Sequence, residues 1–396
     1  MSALNEVYVY DALRTRTGKF GGALAAVRPD DMAASVLAAV LERSPELDAA
    51  RIEDVVLGNA NGAGEENRNV ARMGALLAGY PTSVPGVTVN RLCGSALEAV
   101  AQASRAVATG DADVVVAGGV ESMTRAPWVV EKPSRAYPHS NPTMYSTSLG
   151  WRFPNPRMDA RWRASLGDGA EILAERYGIT REEQDAFALA SHRRADAAWE
   201  GGHFDAEVIE LPGVELARDE NIRPDTSLEQ LARLKPAFAT DGSVTGGNAS
   251  PLNDGASAVL LGSAEAAKAI GRDPMARIAA RGVSGVDPDL FGIGPVEAAG
   301  TALRRAGIGW GDLDLVELNE AFASQSLACL KLWPELDPSI VNVSGGAIAL
   351  GHALGSSGSR LLATLVHNLR RTGGRWGLAT LCIGMGQGIA VVVEAR

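Results

Sequence analysis

Two distant stretches of the chain follow the same order of elements, and that order constrains the fold more than any other feature. Val87-Thr-Val-Asn90 precedes a small-residue turn and a helix-like run that leads to Val114-Val-Val-Ala-Gly-Gly119. Ile340-Val-Asn342 precedes a Gly-rich turn and a helix-like run that leads to Leu378-Ala-Thr-Leu-Cys-Ile-Gly384. Each reads strand–turn–helix–strand, so a duplicated α/β chain is expected, alike in pattern rather than in identity. Folds of this kind place ligands at loops beyond the C-terminal ends of strands.

The flanking sequence agrees. Val7–Tyr10, Asp54–Leu57, Val87–Val89 and Asp113–Ala117 read as strands, alternating with helices over Asp31–Leu41, Asn69–Leu77 and Ser95–Ala108. That alternation implies a mainly parallel sheet covered by helices. From about Ser122 to Asn248 the texture changes to a long insert punctuated by Pro127, Pro133, Pro138, Pro142, Pro154 and Pro156, with a charged helix around Arg181–Trp199. The alternation then returns with Ser257–Leu261, Arg277–Arg281, Pro295–Arg305, Leu313–Glu317, Ala321–Leu332, Ile340–Val343 and a helix opened by His352. Trp376–Val393 is uncharged, but its glycines and Gln387 divide it into two buried strands, Gly377–Leu381 and Ile389–Val393, rather than a membrane span. The N-terminus has no basic region followed by an apolar one, so a cytoplasmic protein is expected.

Composition removes several function classes. The net charge of −10 argues against general binding of nucleic acid or anionic membrane, both of which need a cationic surface. Three cysteines cannot build a disulfide scaffold. Neither Cys–Cys nor Cys–His spacing resembles a metal site.

Cys93 stands before Gly94-Ser95 at the expected start of a helix, where unpaired N–H groups and the helix dipole favour a thiolate. A buried, inert cysteine is the competing reading. Cys382 lies where a strand ends in the glycine turn Gly384-Met-Gly386, and glycines there let a ligand approach backbone N–H groups. Cys329 has apolar helical neighbours and reads as core packing. His352 ends the uncharged run Gly345-Gly-Ala-Ile-Ala-Leu-Gly351, a position suited to acid–base work. The run lacks the Lys-Ser/Thr of a phosphate loop and does not fit a dinucleotide fingerprint. His139, His192, His203 and His367 are expected in loops or on polar helix faces. Asn319-Glu320 follows an apolar strand, where Asn319 is either a site residue or a helix cap.

Taken together, these segments resemble the thiolase family from end to end. Asn90-Arg-Leu-Cys-Gly-Ser95 is similar to the nucleophile motif, and Gly247-Asn-Ala-Ser250 with Asn253-Asp-Gly255 to the motif ahead of the C-terminal half. Asn319-Glu-Ala-Phe-Ala323, Gly345–His352 and Cys382-Ile-Gly-Met-Gly386 match the remaining three. Each is short, but five in the correct order are specific. The resemblance implies an α/β fold of duplicated βαβαβ halves in five layers, α-β-α-β-α, with an inserted loop domain. Residues 1–121 would form the N-terminal half, completed by about 249–275; 122–248 would be the insert and 276–396 the C-terminal half. The implied activity is CoA-dependent cleavage of a 3-oxoacyl-CoA, or the reverse Claisen condensation.

Carried over position by position, Cys93 would be the nucleophile that becomes acylated. His352 would deprotonate a thiol, that of Cys93 or of incoming CoA. Cys382 would be the acid–base group at the substrate α-carbon. Asn319, through a water, would join His352 in one oxyanion hole, and the backbone N–H groups of Cys93 and Gly384 would form the second. Ser250, Ala321 and Phe322 match positions lining the pantetheine channel, and Arg223 one near its nucleotide end. CoA and acetyl-CoA would be substrates with no permanently bound cofactor and no metal, and the chain would form a homo-oligomer, a tetramer or dimer.

Departures from the family pattern leave every reacting group in place. Ala353 stands where Pro is usual, costing some rigidity at a helix start, and Val343-Ser344 stands where Pro-Asn is common. Ser165-Leu166 replaces the His-Met of short-chain acetoacetyl-CoA thiolases, which argues against a dedicated enzyme of that type. Gly64–Arg72 and Thr147–Phe153 look most like thiolases of aromatic-compound degradation that cleave 3-oxoadipyl-CoA. Arg152, Arg157, Arg161 and Arg163 cluster beside the latter segment and could bind a distal carboxylate or CoA phosphates, or simply face solvent. The alternatives are a general 3-ketoacyl-CoA or acetoacetyl-CoA thiolase, a decarboxylating condensing enzyme, and a non-catalytic thiolase-like carrier. The second cysteine in place of a second histidine argues against the condensing enzyme. The presence of both cysteines argues against the carrier.

Overall fold

Nine strands follow one another edge to edge, and their order explains how the two halves share one molecule. In the computed structural model, which describes residues 4–396, the order across the sheet is Leu315–Leu318, Trp376–Ile383, Gln387–Ala395, Ala276–Gly285, Tyr8–Thr15, Asn253–Gly262, Val114–Ser122, Asp54–Gly58 and Gly86–Val89. Gly18–Lys19 and Val208–Ile209 pair with it off this path. The halves meet where Tyr8–Thr15 pairs with Ala276–Gly285 at two positions only, Tyr8 with Arg277 and Val9 with Ala276.

The sheet is mixed, which corrects the expectation of a mainly parallel one. Pairing is parallel toward the outer edges, where crossover helices intervene, and antiparallel through the middle. The reason is connectivity. A strand returning through a tight turn must run antiparallel, as Gln387–Ala395 does after Trp376–Ile383, whereas only a long crossover permits parallel pairing.

Alternation along the strands builds the layers. Val115, Val259, Leu381 and Val391 face a shared core with Leu97 and Val100 of the Ser95–Thr109 helix and Leu361 and Leu365 of the Ser357–Thr372 helix. Val114, Val116 and Leu260 face the other way, onto Met32, Val36 and Val40 of the Pro29–Arg43 helix. Leu378, Ala390 and Val392 pack on Ala298, Ala302 and Leu303 of the Gly294–Ala306 helix. The sequence of layers is therefore α-β-α-β-α, with two helices buried between the two ends of this one sheet. Those two helices approach so closely that a Cβ at Gly358 would collide with the backbone of Leu97.

Two local expectations fail. Ile340–Val343 is not a strand: a 3₁₀ turn at Pro338–Ile340 precedes a single bridge between Val316 and Val341. Asn342, at φ +49°, supplies the missing pairing with its side chain, donating to Leu318 O at 2.8 Å and accepting from Leu318 N at 2.9 Å. His352 does not open a helix; one turn of helix, Ala347–Leu350, precedes it, and the long helix begins five residues later at Ser357. Ala353 thus lies in the connecting loop, not at a helix's first position. The insert carries a small hairpin, Trp128–Val130 with Met144–Ser146, and the helices Leu166–Arg176 and Arg181–Glu200. Among the described residues no helix is long and apolar enough to cross a membrane.

Candidate active site

The strands Leu315–Leu318 and Trp376–Ile383 run side by side in parallel, so the residues that follow them leave the sheet at the same end. Asn319 remains tied to this edge by its N–H, which donates to Thr380 O at 3.0 Å. Cys382 lies two residues beyond Thr380 and shares an apolar cluster with Ala321 and Phe291, against which Leu166 and Phe322 pack. Phe322, rather than Asn319, occupies the N-cap of the Ala323–Leu332 helix. Ser250 N–H donates to Ala321 O at 2.9 Å, and Ala249 bridges to Phe322. Ser250, Ala321, Phe322 and Cys382 are thereby brought together.

Cys93 joins them from the other half. It precedes the Ser95–Thr109 helix, after Leu92 at φ +48°. Burial pushes its thiol up to about 11, opposed by hydrogen bonds from the backbone N–H groups of Gly384 and of Cys93 itself. The thiolate expected from the helix start alone is thus outweighed by desolvation, and the resting group is a thiol. Cys382 is raised well above its ordinary value, first by burial and then by the charge of Cys93. Two buried thiols therefore lie within electrostatic reach of each other. Cys329 is equally buried, pushed up to about 12, and donates to Gly292 O at 3.2 Å within its core cluster.

The His352 imidazole is 4% exposed, and its tautomer follows from its neighbours. Ser357 has one hydroxyl proton, which it donates to Ala353 O at 2.8 Å. Its oxygen, 2.6 Å from His352 Nδ1, therefore accepts from Nδ1–H. The lone pair is left on Nε2, which accepts from Asn319 Nδ2 at 3.4 Å. Burial, followed by the charge of Arg360, pushes the imidazole down to about 3, so it is a neutral base across the physiological range. Asn253 anchors this loop by accepting from His352 N–H at 2.8 Å and donating to Gly18 O at 2.8 Å. Asn319 Oδ1 is buried with no partner among the described residues.

Several contributors were not expected at the site. Trp151 stands against the glycine turn, its ring 3.1 Å from where a Cβ on Gly384 would sit. Phe291 comes from the 3₁₀ turn Pro288–Ile293, and Ser357 from a run of small polar residues. Leu166 was singled out only as a departure from a family loop. Ser165 caps the Leu166–Arg176 helix with a reciprocal bond to Asp168, which turns that departure into a helix start.

Other expected residues lie elsewhere. Arg223 is exposed, and its backbone N–H donates to His192 Nδ1 at 3.2 Å. His192 is buried, not on a polar helix face, and is pushed down to about 4 by burial. In the arginine cluster, Arg152 is held by Asn61 Oδ1 at 2.8 Å and Thr147 O at 3.1 Å, while Arg161 pairs with Asp159. Arg157 and Arg163 are exposed, with no ion pair among the described residues. No group of three His, Cys, Asp or Glu side chains among the described residues is placed to hold a metal. The arrangement offers a neutral base, two buried thiols and backbone N–H groups of Cys93 and Gly384 that favour the Cys93 thiolate, a set suited to acyl transfer.

Comparison with known proteins agrees with this chemistry. Residues 7–265 match the family model of the thiolase N-terminal domain, and 272–395 that of the thiolase C-terminal domain. The sequence is 49% identical to a β-ketoadipyl-CoA thiolase of Pseudomonas aeruginosa, covering 98% of this chain and 99% of that protein. It is also 49% identical to a 3-oxoadipyl-CoA/3-oxo-5,6-dehydrosuberyl-CoA thiolase of Escherichia coli, over 99% of this chain and all of that protein. The structure resembles human mitochondrial 3-ketoacyl-CoA thiolase in complex with CoA, with a TM-score of 0.92 and 40% identity over 100% of this chain and 99% of the other.

Proposed function

The chain belongs to the thiolase family of acyltransferases, and from that premise we propose that it cleaves a 3-oxo dicarboxylyl-CoA such as 3-oxoadipyl-CoA by thiolysis through an acyl-Cys93 intermediate. The observation that carries the mechanism is the buried His352 imidazole, its Nδ1–H held by Ser357 and its Nε2 lone pair turned toward Asn319. Support for the substrate comes from relatives named for 3-oxoadipyl-CoA that align along nearly the whole chain.

The steps follow from the groups present. Cys93 gives its proton to His352 Nε2 and attacks the 3-keto carbon. The C2–C3 bond breaks, its electron pair passes to the acetyl-CoA enolate, and Cys382 protonates C2. The chain-shortened acyl group remains on the Cys93 sulfur. The proton held by His352 passes to the Cys382 thiolate, which returns both groups to their resting forms. The thiol of CoA then gives its proton to His352 and attacks that thioester. The departing Cys93 thiolate takes this proton back as a dicarboxylyl-CoA two carbons shorter is released. The two N–H groups that meet the resting sulfur would also bind oxygen of the acyl-enzyme adduct. Asn319 acts with His352 at the thioester oxygen through a water held at its unpartnered Oδ1. Ser250, Ala321 and Phe322 border the pantetheine, and Arg223 lies toward the nucleotide. Read in reverse, the same groups condense two acyl-CoAs.

We read the enzyme as a cytoplasmic homo-oligomer, a tetramer or dimer. The insert hairpin supports this, because it exposes Trp128, Val130, Met144 and Tyr145 as large apolar side chains. The mechanism is tested by intact-mass spectrometry after brief exposure to an acyl-CoA. An acyl adduct is expected on Cys93 and absent in Cys93→Ala. Tight binding without any adduct would favour a carrier instead.

A further inference from the structure

Behind the His352 loop lies a small cavity of about 10 Å³, lined among others by Thr15, Gly351, Ala353, Ser357 and Arg360. Roughly one water-sized sphere fills such a space. Arg360 is 4% exposed, yet neither Nη1 nor Nη2 has a hydrogen-bond partner among the described residues. Its nearest carboxylate, Glu317, stands 3.6 Å away, beyond hydrogen-bond distance. The other arginine in the wall, Arg14, has all three guanidinium nitrogens engaged, by Glu207, Asp219 and Thr15 O. Arg360 also occupies the first turn of the Ser357–Thr372 helix, where the dipole disfavours a cation. A buried, under-bonded cation at the unfavourable end of a helix is poorly explained as a stabilising group.

We propose that Arg360 is a positioning residue for the His352 base, acting through a single water in this cavity that links its guanidinium to the hydroxyl of Ser357. The direction of the chain of bonds follows from donor chemistry. A guanidinium only donates, so the water accepts from Arg360 and has protons to give. Ser357 Oγ has already sent its own proton to Ala353 O, so it accepts from the water and from His352 Nδ1–H. The imidazole thereby keeps its proton on Nδ1 and its lone pair on Nε2, toward Asn319. The charge of Arg360 acts in the same sense, opposing protonation of the ring. The charged groups around Arg360 are Glu317 from one strand, Glu320 just beyond that strand, Arg14 from another strand, and Glu207 and Asp219 from the insert. Glu317 is pushed by burial up to about 8, so its charge only partly screens the arginine.

This rests on the reading of His352 as the base, and the tests separate the two claims. In a high-resolution crystal structure of the full-length enzyme, one water is expected within hydrogen-bond distance of an Arg360 Nη and of Ser357 Oγ. A dry cavity overturns the proposal, and this readout needs no variant. In ¹⁵N-histidine NMR of the resting enzyme, His352 is expected as a single neutral Nδ1–H tautomer. Arg360→Met should mix the tautomers and move the acid limb of kcat/KM up by about one pH unit, as loss of a nearby like charge does. Arg360→Lys, which retains a charged donor, should keep both nearer wild type. Unchanged His352 resonances and an unmoved acid limb in Arg360→Met overturn the proposal. The water and the tautomer are read without turnover, so they stand even if another group proves to be the base.

Discussion

At the scale of residues, the proposed reacting groups could be singled out because each sits where a strand or turn ends beside glycine or a helix start. Cys93, His352 and Cys382 all carry that mark, and Cys329, without it, is core. Their protonation was not legible. Burial sets it, and burial depends on partners distant in sequence, such as Gly384, 291 residues from Cys93, and Asn319, 33 residues from His352. The tautomer of His352 depends on one serine hydroxyl whose proton is committed elsewhere. If Cys382 handles the α-carbon proton alone, Cys382→Ser should still acylate Cys93 but lose α-proton exchange on acetyl-CoA. Exchange in deuterated water, followed by NMR, measures this, and exchange at the wild-type rate contradicts the assignment. Ser357→Ala removes the acceptor for Nδ1–H and should lower kcat about 10-fold or more, within the range of general acid–base effects; single-turnover kinetics would show whether acylation is the step that slows.

At the scale of elements, periodicity located most strands and helices, and the misses have local physical causes. The parallel reading of the sheet failed because alternation of strand and helix does not tell which strands pair, and Asn253–Gly262 and Ala276–Gly285 run antiparallel to partners distant in the chain. Ile340–Val343 failed because Asn342, in the left-handed region, replaces strand pairing with its amide. Gly358 could not be singled out among 45 glycines, since its constraint comes from Leu97 on another helix. In a solvent-exposed helix Gly→Ala would stabilise by about 1 kcal/mol. Here the added methyl meets backbone between two buried helices, so Gly358→Ala should destabilise by about 1–3 kcal/mol, as overpacking does. Urea unfolding checks the sign, and a stabilised variant would mean that the helices have room to part.

At the scale of the whole molecule, the buried ionisable groups set how stability depends on pH. Glu121 and Glu317 are pushed up by burial from 4.5 to about 7 and about 8, so their contribution is present below about pH 4.5 and is lost as pH rises through those values. His352 and His192 are pushed down from 6.5 to about 3 and about 4, so their contribution is present above pH 6.5 and is lost as pH falls. The two pairs oppose each other between about pH 4.5 and 6.5. Above that only the carboxyl effect remains, so Tm should fall between about pH 6.5 and 8.5. Scanning calorimetry across that range measures it, and Glu121→Gln should flatten the slope. The acidic net charge, a feature of the whole chain, excluded polyanion binders but said nothing about the acyl group, and Arg152 proved to be held by Asn61 and Thr147 rather than left for a ligand. Substrate choice is the central claim, and a direct kinetic comparison tests it. With CoA as second substrate, kcat/KM for 3-oxoadipyl-CoA should exceed that for straight-chain 3-oxohexanoyl-CoA at least 10-fold, a difference of about 1.4 kcal/mol in transition-state binding. Equal values, or a preference for the uncharged chain, would contradict the account.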